Sequence, residues 1–307
     1  MGDMSQNGYS NVLTRADERL SESDLTKAWA TLRKQMALVP EGEVWLCATD
    51  PVSLSDSTSM ARYSAVSVDS IYVDRLCVTH RNFAQFVSAG GYTREDLWPP
   101  EILSNVLQFV DSTGCPGPKS WIDGRPARKL LDHPVTGICW YEANAYAHWR
   151  GKRLLSPAEW QWTAVWASGS SGSAAQRRFP WGDSFDPTRC NTWNSGIGTT
   201  VPVDEYYSGC TPNGVYQLIG NVWEWTSALF DCDDAANGDR VLTEFPMGEV
   251  RGAAFNTYFS SQATAQFRTG KSLLFRGDNI GFRCCVSTNR LASPSDPYSF
   301  LDNEAES

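Results

Sequence analysis

From residue 180 onward the sequence breaks into short apolar pieces, separated at close intervals by Gly, Asn, Asp and Pro. No stretch there keeps the three-to-four-residue apolar spacing of an amphipathic helix, so this part is expected to form short strands and many ordered loops. At 307 residues with 41% hydrophobic and 20% charged residues, the chain can close a large core and is not disordered. Length alone suggests about two domains of roughly 150 residues. No internal repeat is visible.

The first part is punctuated differently. Leu25, Ala28, Trp29, Leu32 and Met36 form one helical stripe. A β-rich stretch follows, from Glu43-Val44-Trp45-Leu46 to the alternating Ser70–Asp74. Thr79 is placed to cap a helix carrying Phe83, Phe86 and Val87 that ends at Gly90-Gly91. Residues 111–127 read as a long surface loop. A periodic helix runs from Trp140 to Arg150 and stops at Gly151. Ser156-Pro157-Ala158-Glu159 combines an N-cap serine, a first-turn proline and a capping-box glutamate, and opens a Trp-rich helix. Ser168–Ser173 is a loop tip, and the acidic end after Val286 is loosely held.

Charge and cysteine usage narrow the function classes. The net charge of −9 and pI near 4.9 argue against a phosphate-binding nucleic-acid surface. No apolar run approaches a membrane span, and the first residues lack a signal-peptide core. The nine cysteines contain no C-x-x-C, and His80, His133 and His148 show no paired spacing. Cysteines on apolar segments, such as Cys139, behave as small buried hydrophobes. A reducing compartment follows: cytoplasmic, or surface-exposed if a leader has been removed. Asp231–Asp239 imitates a calcium loop, yet position 5 is Ala235, position 6 is Ala236 and position 12 is Leu242, so the EF-hand pattern fails. Arg276-Gly277-Asp278 is a common tripeptide and supports no adhesion claim.

Several segments occur in a telling order: Pro40–Glu43, Val73–Thr79 with Phe83–Val87, Pro134–Ala143, Arg153–Trp160, Phe179–Gly182, Gly220-Asn221-Val222-Trp223-Glu224-Trp225-Thr226 and Asn279-Ile280-Gly281-Phe282-Arg283. Together they resemble the formylglycine-generating-enzyme, or sulfatase-modifying-factor, domain. The resemblance implies an α+β, C-type-lectin-like fold of that subtype, loop-rich with small antiparallel sheets and a few helices. It implies one large domain at 37–286, after a helical preface at 1–36 and before an acidic tail at 287–307, in place of two.

Catalytic members of that family oxidise a substrate cysteine with a copper-binding cysteine pair. In this sequence Thr257 and Gln262 occupy the matching positions, and neither supplies a thiolate; Cys284 and Cys285 fall elsewhere. The iron-dependent sulfoxide-synthase branch needs histidines that are absent here. The segment 253–279 is similar instead to the variable region of diversity-generating retroelement proteins, which are non-catalytic, although Ala253-Ala254 replaces the usual Gly-Ser. Its mix of aromatic and small polar residues suits a binding surface. The expected contacts are Phe255, Asn256, Thr257, Tyr258, Phe259, Ser261, Gln262, Thr264, Gln266, Phe267, Leu274 and Phe275, with a protein ligand as partner. The competing readings are a cysteine oxidase working through a displaced thiol and an accessory domain with no diversified surface. The resemblance also implies structural calcium at Asn191, Asn221, Val222 and Glu224; the alternative is that these residues tie loops together by hydrogen bonds.

Overall fold

The computed structural model describes residues 22–47, 63–166, 177–230 and 246–291, so the acidic loop at 231–239 lies outside the described residues. Helix α1 (Glu22–Gln35) leads directly into strand β1 (Met36–Val39). Its stripe packs Ala28 and Leu32 with Met36, Val286 and Leu291, and Trp29 meets Tyr72 edge-on at 6.0 Å. Next come the hairpin strands β2 (Gly42–Cys47) and β3 (Tyr63–Val68), then β4 (Ile71–Asp74).

Two helices begin where their caps dictate. In α2 (His80–Ser88), Thr79 accepts from the Asn82 amide at 3.1 Å while Asn82 accepts from the Thr79 amide at 3.3 Å. After α3 (Trp140–Trp149) and the short β5 (Arg153–Leu154), helix α4 (Pro157–Val165) shows the expected Ser156–Glu159 capping box. Each box satisfies orphan amides of a first turn. The remainder is short strands and turns: β6 (Trp223–Leu229), β7 (Met247–Arg251), β8 (Arg268–Ser272), β9 (Ile280–Gly281) and β10 (Cys284–Ser287).

Two four-stranded sheets and the β2–β3 hairpin result. The first sheet runs β1-β4-β10-β5, all antiparallel, and the second runs β8-β7-β6-β9, with β6 and β9 parallel. Thus β10 is sewn between β4 and β5, while Trp223 pairs with Ile280 in the other sheet. Phe282, between β9 and β10, inserts its ring among Phe83 at 6.4 Å and Tyr146 at 5.4 Å.

Residues 111–127 form the expected surface loop, most of it exposed, with Trp121 turned inward. Asp111 accepts from the amides of Thr113, Cys115 and Gly124, which winds the loop around one carboxylate. That wrapping drives Trp121 into the core at 1% exposure, where its indole N–H donates to His80 Nδ1 at 2.8 Å.

One buried ion pair joins the two sheets. Arg283 Nε and Nη2 donate to the two oxygens of Glu224 at 2.8 and 2.7 Å, with both side chains 1% exposed. The other guanidinium N–H groups reach the carbonyls of Asp74 and Tyr216, at 3.1 and 2.7 Å. Glu224 also accepts from the Trp160 indole at 2.8 Å and from the Cys77 thiol at 3.2 Å.

Deleting one partner of such a pair strands the other charge without water. Arg283→Met is therefore expected to cost about 3–5 kcal/mol, seen in urea denaturation as a lower midpoint with an unchanged slope. The double variant Arg283→Met, Glu224→Leu should lose less than the two single losses combined. A second prediction concerns His80. Burial first, and the neighbouring His133 second, lower its pKa from 6.5 to about 4. The unfolded chain then takes up this proton near 6.5 while the folded chain resists it. Stability should be complete above about 6.5 and fall by up to about 3 kcal/mol as pH drops toward 4. Urea unfolding at both ends of that range should show the loss, and His80→Gln should reduce it.

Candidate functional site

The segment after β7 leaves the sheet through a strained corner. Gly252 has φ +97°, and a Cβ there would lie 2.5 Å from the Leu218 carbonyl oxygen. Ala253 follows at φ 67°, a left-handed conformation that costs a non-glycine residue about 1 kcal/mol. This is where the sequence departs from the Gly-Ser of the family it resembles. The corner is held by bonds from the Gly220 amide to the Gly252 carbonyl at 2.7 Å and from the Phe255 amide to the Asn221 carbonyl at 3.0 Å.

Beyond the corner the segment alternates between rooted and displayed residues. Thr257 Oγ1 accepts from the Ala254 amide at 2.9 Å, and its carbonyl accepts from the Trp193 amide at 3.2 Å. With Thr257 thus turned inward, Asn256, Tyr258, Phe259, Ser260 and Ser261 are left on the surface. Tyr258 and Phe259, 63% and 61% exposed, meet edge-to-face at 5.2 Å. Trp193, 56% exposed, lies 6.0 Å from Tyr258. These three rings form a displayed aromatic cluster. Downstream, Leu274 and Phe275 are also exposed, with Lys271 Nζ 5.8 Å from the Phe275 ring centre.

The frame under this segment is polar and closed. Arg251 donates to Glu249 at 2.6 Å, to Gln161 of α4 at 2.9 Å and to the Ala265 carbonyl at 3.2 Å. Arg268 adds a bond to the other Glu249 oxygen at 3.3 Å. At the far end Arg276 reaches Glu142 at 3.0 Å and the carbonyls of Val110 and Gly117 at 2.8 and 2.6 Å, so the Arg-Gly-Asp tripeptide is anchored inward at its arginine. Tyr92 completes that anchor, donating to Glu142 at 2.5 Å.

Of the twelve expected contact positions, Phe255, Thr257, Thr264 and Phe267 are buried and are corrected to scaffold residues. Phe267 packs its ring 5.9 Å from Trp223, and Thr257 holds the backbone turn. Asn256, Tyr258, Phe259, Ser261, Leu274 and Phe275 are exposed, with Gln262 and Gln266 half-buried. Gln266 donates to the Arg177 carbonyl at 2.8 Å, so it serves the frame. Trp193 lies outside the 253–279 segment and escaped the sequence reading. A lone tryptophan in the Asn- and Gly-rich stretch 191–198 was the available signal.

The residues expected to hold calcium are occupied otherwise. Asn191 donates to Asn221 Oδ1 at 3.2 Å and to the Thr199 carbonyl at 2.9 Å, while its own oxygen accepts from Ser195 at 2.8 Å. Asn221 Oδ1 also accepts from the Val201 amide at 2.9 Å. Glu224, the only carboxylate of the set, is committed to Arg283, Trp160 and Cys77. The donor set therefore does not fit a calcium cage, and the loops close on their own hydrogen bonds. Among the described residues no three His, Cys, Asp or Glu side chains are grouped so as to hold a metal ion.

Thiol chemistry is disfavoured at five of the described cysteines. Cys77, Cys139, Cys190, Cys284 and Cys285 are buried. Burial pushes the Cys77, Cys139, Cys284 and Cys285 thiols far up and Cys190 to about 12, which suppresses the nucleophilic thiolate. Positions 257 and 262 carry a threonine and a glutamine.

Residues 22–288 match the family described as the sulfatase-modifying factor enzyme 1-like domain. A mouse relative named inactive C-alpha-formylglycine-generating enzyme 2 is 29% identical over 282 residues, covering 83% of this chain and 86% of the relative. The formylglycine-generating enzyme of Thermomonospora curvata is also 29% identical, covering 73% and 80%. In structure, Treponema denticola variable protein 1 shares the fold with a TM-score of 0.54 at 14% identity, over 82% of this chain and 94% of the other. No helix among the described residues is long and apolar enough to cross a membrane.

The five buried thiols should resist a small aromatic disulfide reagent in the native protein for as long as it stays folded, and react on addition of denaturant. Peptide mapping by mass spectrometry checks this; rapid native labelling of Cys77 or Cys139 would contradict the burial argument.

Proposed function

Because the chain belongs to the sulfatase-modifying factor enzyme 1-like family, we propose that it is a non-catalytic member that binds a protein ligand through the aromatic cluster of Trp193, Tyr258 and Phe259. The observation that carries this reading is the exposure of Tyr258 and Phe259, in the turn that holds Thr257 and precedes Gln262, beside the exposed ring of Trp193. Those two positions match the cysteine pair of the catalytic members, and neither side chain delivers a thiolate to copper or to a substrate. The family likeness extends to a mouse protein named inactive, which supports a lineage of members without the oxidase chemistry.

Large rings next to small polar residues combine contact area with adaptable hydrogen bonding, the composition of a binding surface. Asn256, Ser260 and Ser261 supply the polar part here. The Glu249–Arg251–Gln161 network fixes the frame beneath, so little ordering entropy is lost on association. Projecting rings on a turn suit the pockets of a protein partner, and the sequence contains neither the E-P-N nor the Q-P-D calcium–sugar motif. Diversification of codons 253–279, as in diversity-generating retroelement variable proteins, is the further part of the proposal. The mixed composition of that segment and the shared fold support it.

Panning a displayed random-peptide library against the immobilised protein should enrich ligands of one consensus. Tyr258→Ala and Phe259→Ala should each weaken them by about ten-fold or more without lowering the thermal midpoint. Leu107→Ser, an exposed position outside the cluster, should leave affinity unchanged. In parallel, a cysteine-containing peptide incubated with the protein, copper and oxygen should keep its cysteine; conversion to the aldehyde, read by mass spectrometry, would overturn the non-catalytic reading.

A further inference from the structure

A cavity of about 490 Å³ opens where the end of α1 meets the end of β4, α2 and α3, and no residue of the 253–279 segment lines it. Its walls carry Lys34, Arg75, Arg150 and Lys152 against Asp74 and Asp204, which leaves two cations in excess on a chain whose net charge is −9. Lys152 Nζ lies 2.5 Å from Asp74, with side-chain exposures of 5% and 13%, and Arg150 lies over the Trp149 ring. The Arg75 guanidinium is held by the Asn213 and Gly214 carbonyls, which fix its position without cancelling its charge.

A buried tyrosine also lines the cavity. Tyr146 is 3% exposed, and its ring is clamped by Phe83, stacked at 5.5 Å, and by Phe282 at 5.4 Å. Burial raises its pKa, so its hydroxyl stays protonated and able to donate to a group in the cavity. A volume of this size lies within the range of small-molecule sites.

We propose that this cavity binds a small carboxylate- or phosphate-bearing molecule. Arg75 and Lys34 supply the attraction and the Tyr146 hydroxyl a directed hydrogen bond. The site is independent of the aromatic cluster, so its failure would leave the protein-binding proposal untouched.

The test is calorimetric titration of the whole chain with citrate and, separately, inorganic phosphate, at ionic strength held constant with sodium chloride. Saturable binding of either probe at or below about 20 mM is expected, and the preferred probe tells carboxylate from phosphate. Tyr146→Phe keeps the ring packing and Lys34→Gln changes only the exposed end of α1; each should weaken binding roughly five-fold. Should Tyr146→Phe unfold, Lys34→Gln alone decides. Absence of saturable binding by both probes, or equal affinity in folded variants, would overturn the assignment.

Discussion

The bidentate pair between Glu224 and Arg283 is the contact on which the remaining architecture depends. Glu224 sits on β6 of one sheet, and Arg283 stands just before β10 of the other. Their bonds also take in the α4 indole of Trp160 and carbonyls at the end of β4 and at Tyr216. A charge pair removed from water contributes little net stability, yet it tolerates few alternative arrangements, because every donor must find its acceptor. Here that requirement aligns two small sheets that share no strand. Phe282, the neighbour of Arg283, adds the apolar part of the same junction by entering the α2–α3 aromatic core.

With the frame set by inward charges, the segment from Gly252 to Asn279 can be irregular without being loose. Its carbonyls and amides are bound to neighbouring loops, and its anchors at Thr257, Ala265 and Arg276 recur along its length. Residues between anchors are pushed outward. Tyr258 and Phe259 are therefore exposed by backbone geometry and not by looseness, and rings presented this way bring contact area at low entropic cost. Arg251, buried, and Arg276, half-buried, anchor this segment much as Arg283 anchors the sheets.

Much of the fold was legible in the sequence because its determinants are local. The Ser156–Glu159 capping box, the Thr79 cap and the α1 stripe are each set by residues within one or two turns, and the structure shows them as read. Gly, Pro and Ser mark 111–127 as a surface loop, which it is, but they do not report its one buried aromatic ring. What closes that loop is Asp111 gathering amides up to thirteen residues away, which sends Trp121 inside. The aromatic segment was half legible for a related reason. Composition cannot tell Phe267, packed on Trp223, from Phe259, which is displayed, since both satisfy the same pattern. Likewise the set at Asn191, Asn221 and Glu224 has cation-binding chemistry by residue type, whereas in the fold Glu224 faces an arginine.

The sequence by itself determined the family and the loop-rich character beyond residue 180. These follow from residue identity and short-range spacing, which a linear chain displays directly. Only the tertiary structure decided which aromatic side chains reach solvent, that Trp193 joins Tyr258 across sixty-five positions, and that four cations and Tyr146 line one cavity. Those outcomes depend on which distant groups satisfy one another's hydrogen bonds and charges once water is excluded, and spacing along the chain does not encode that.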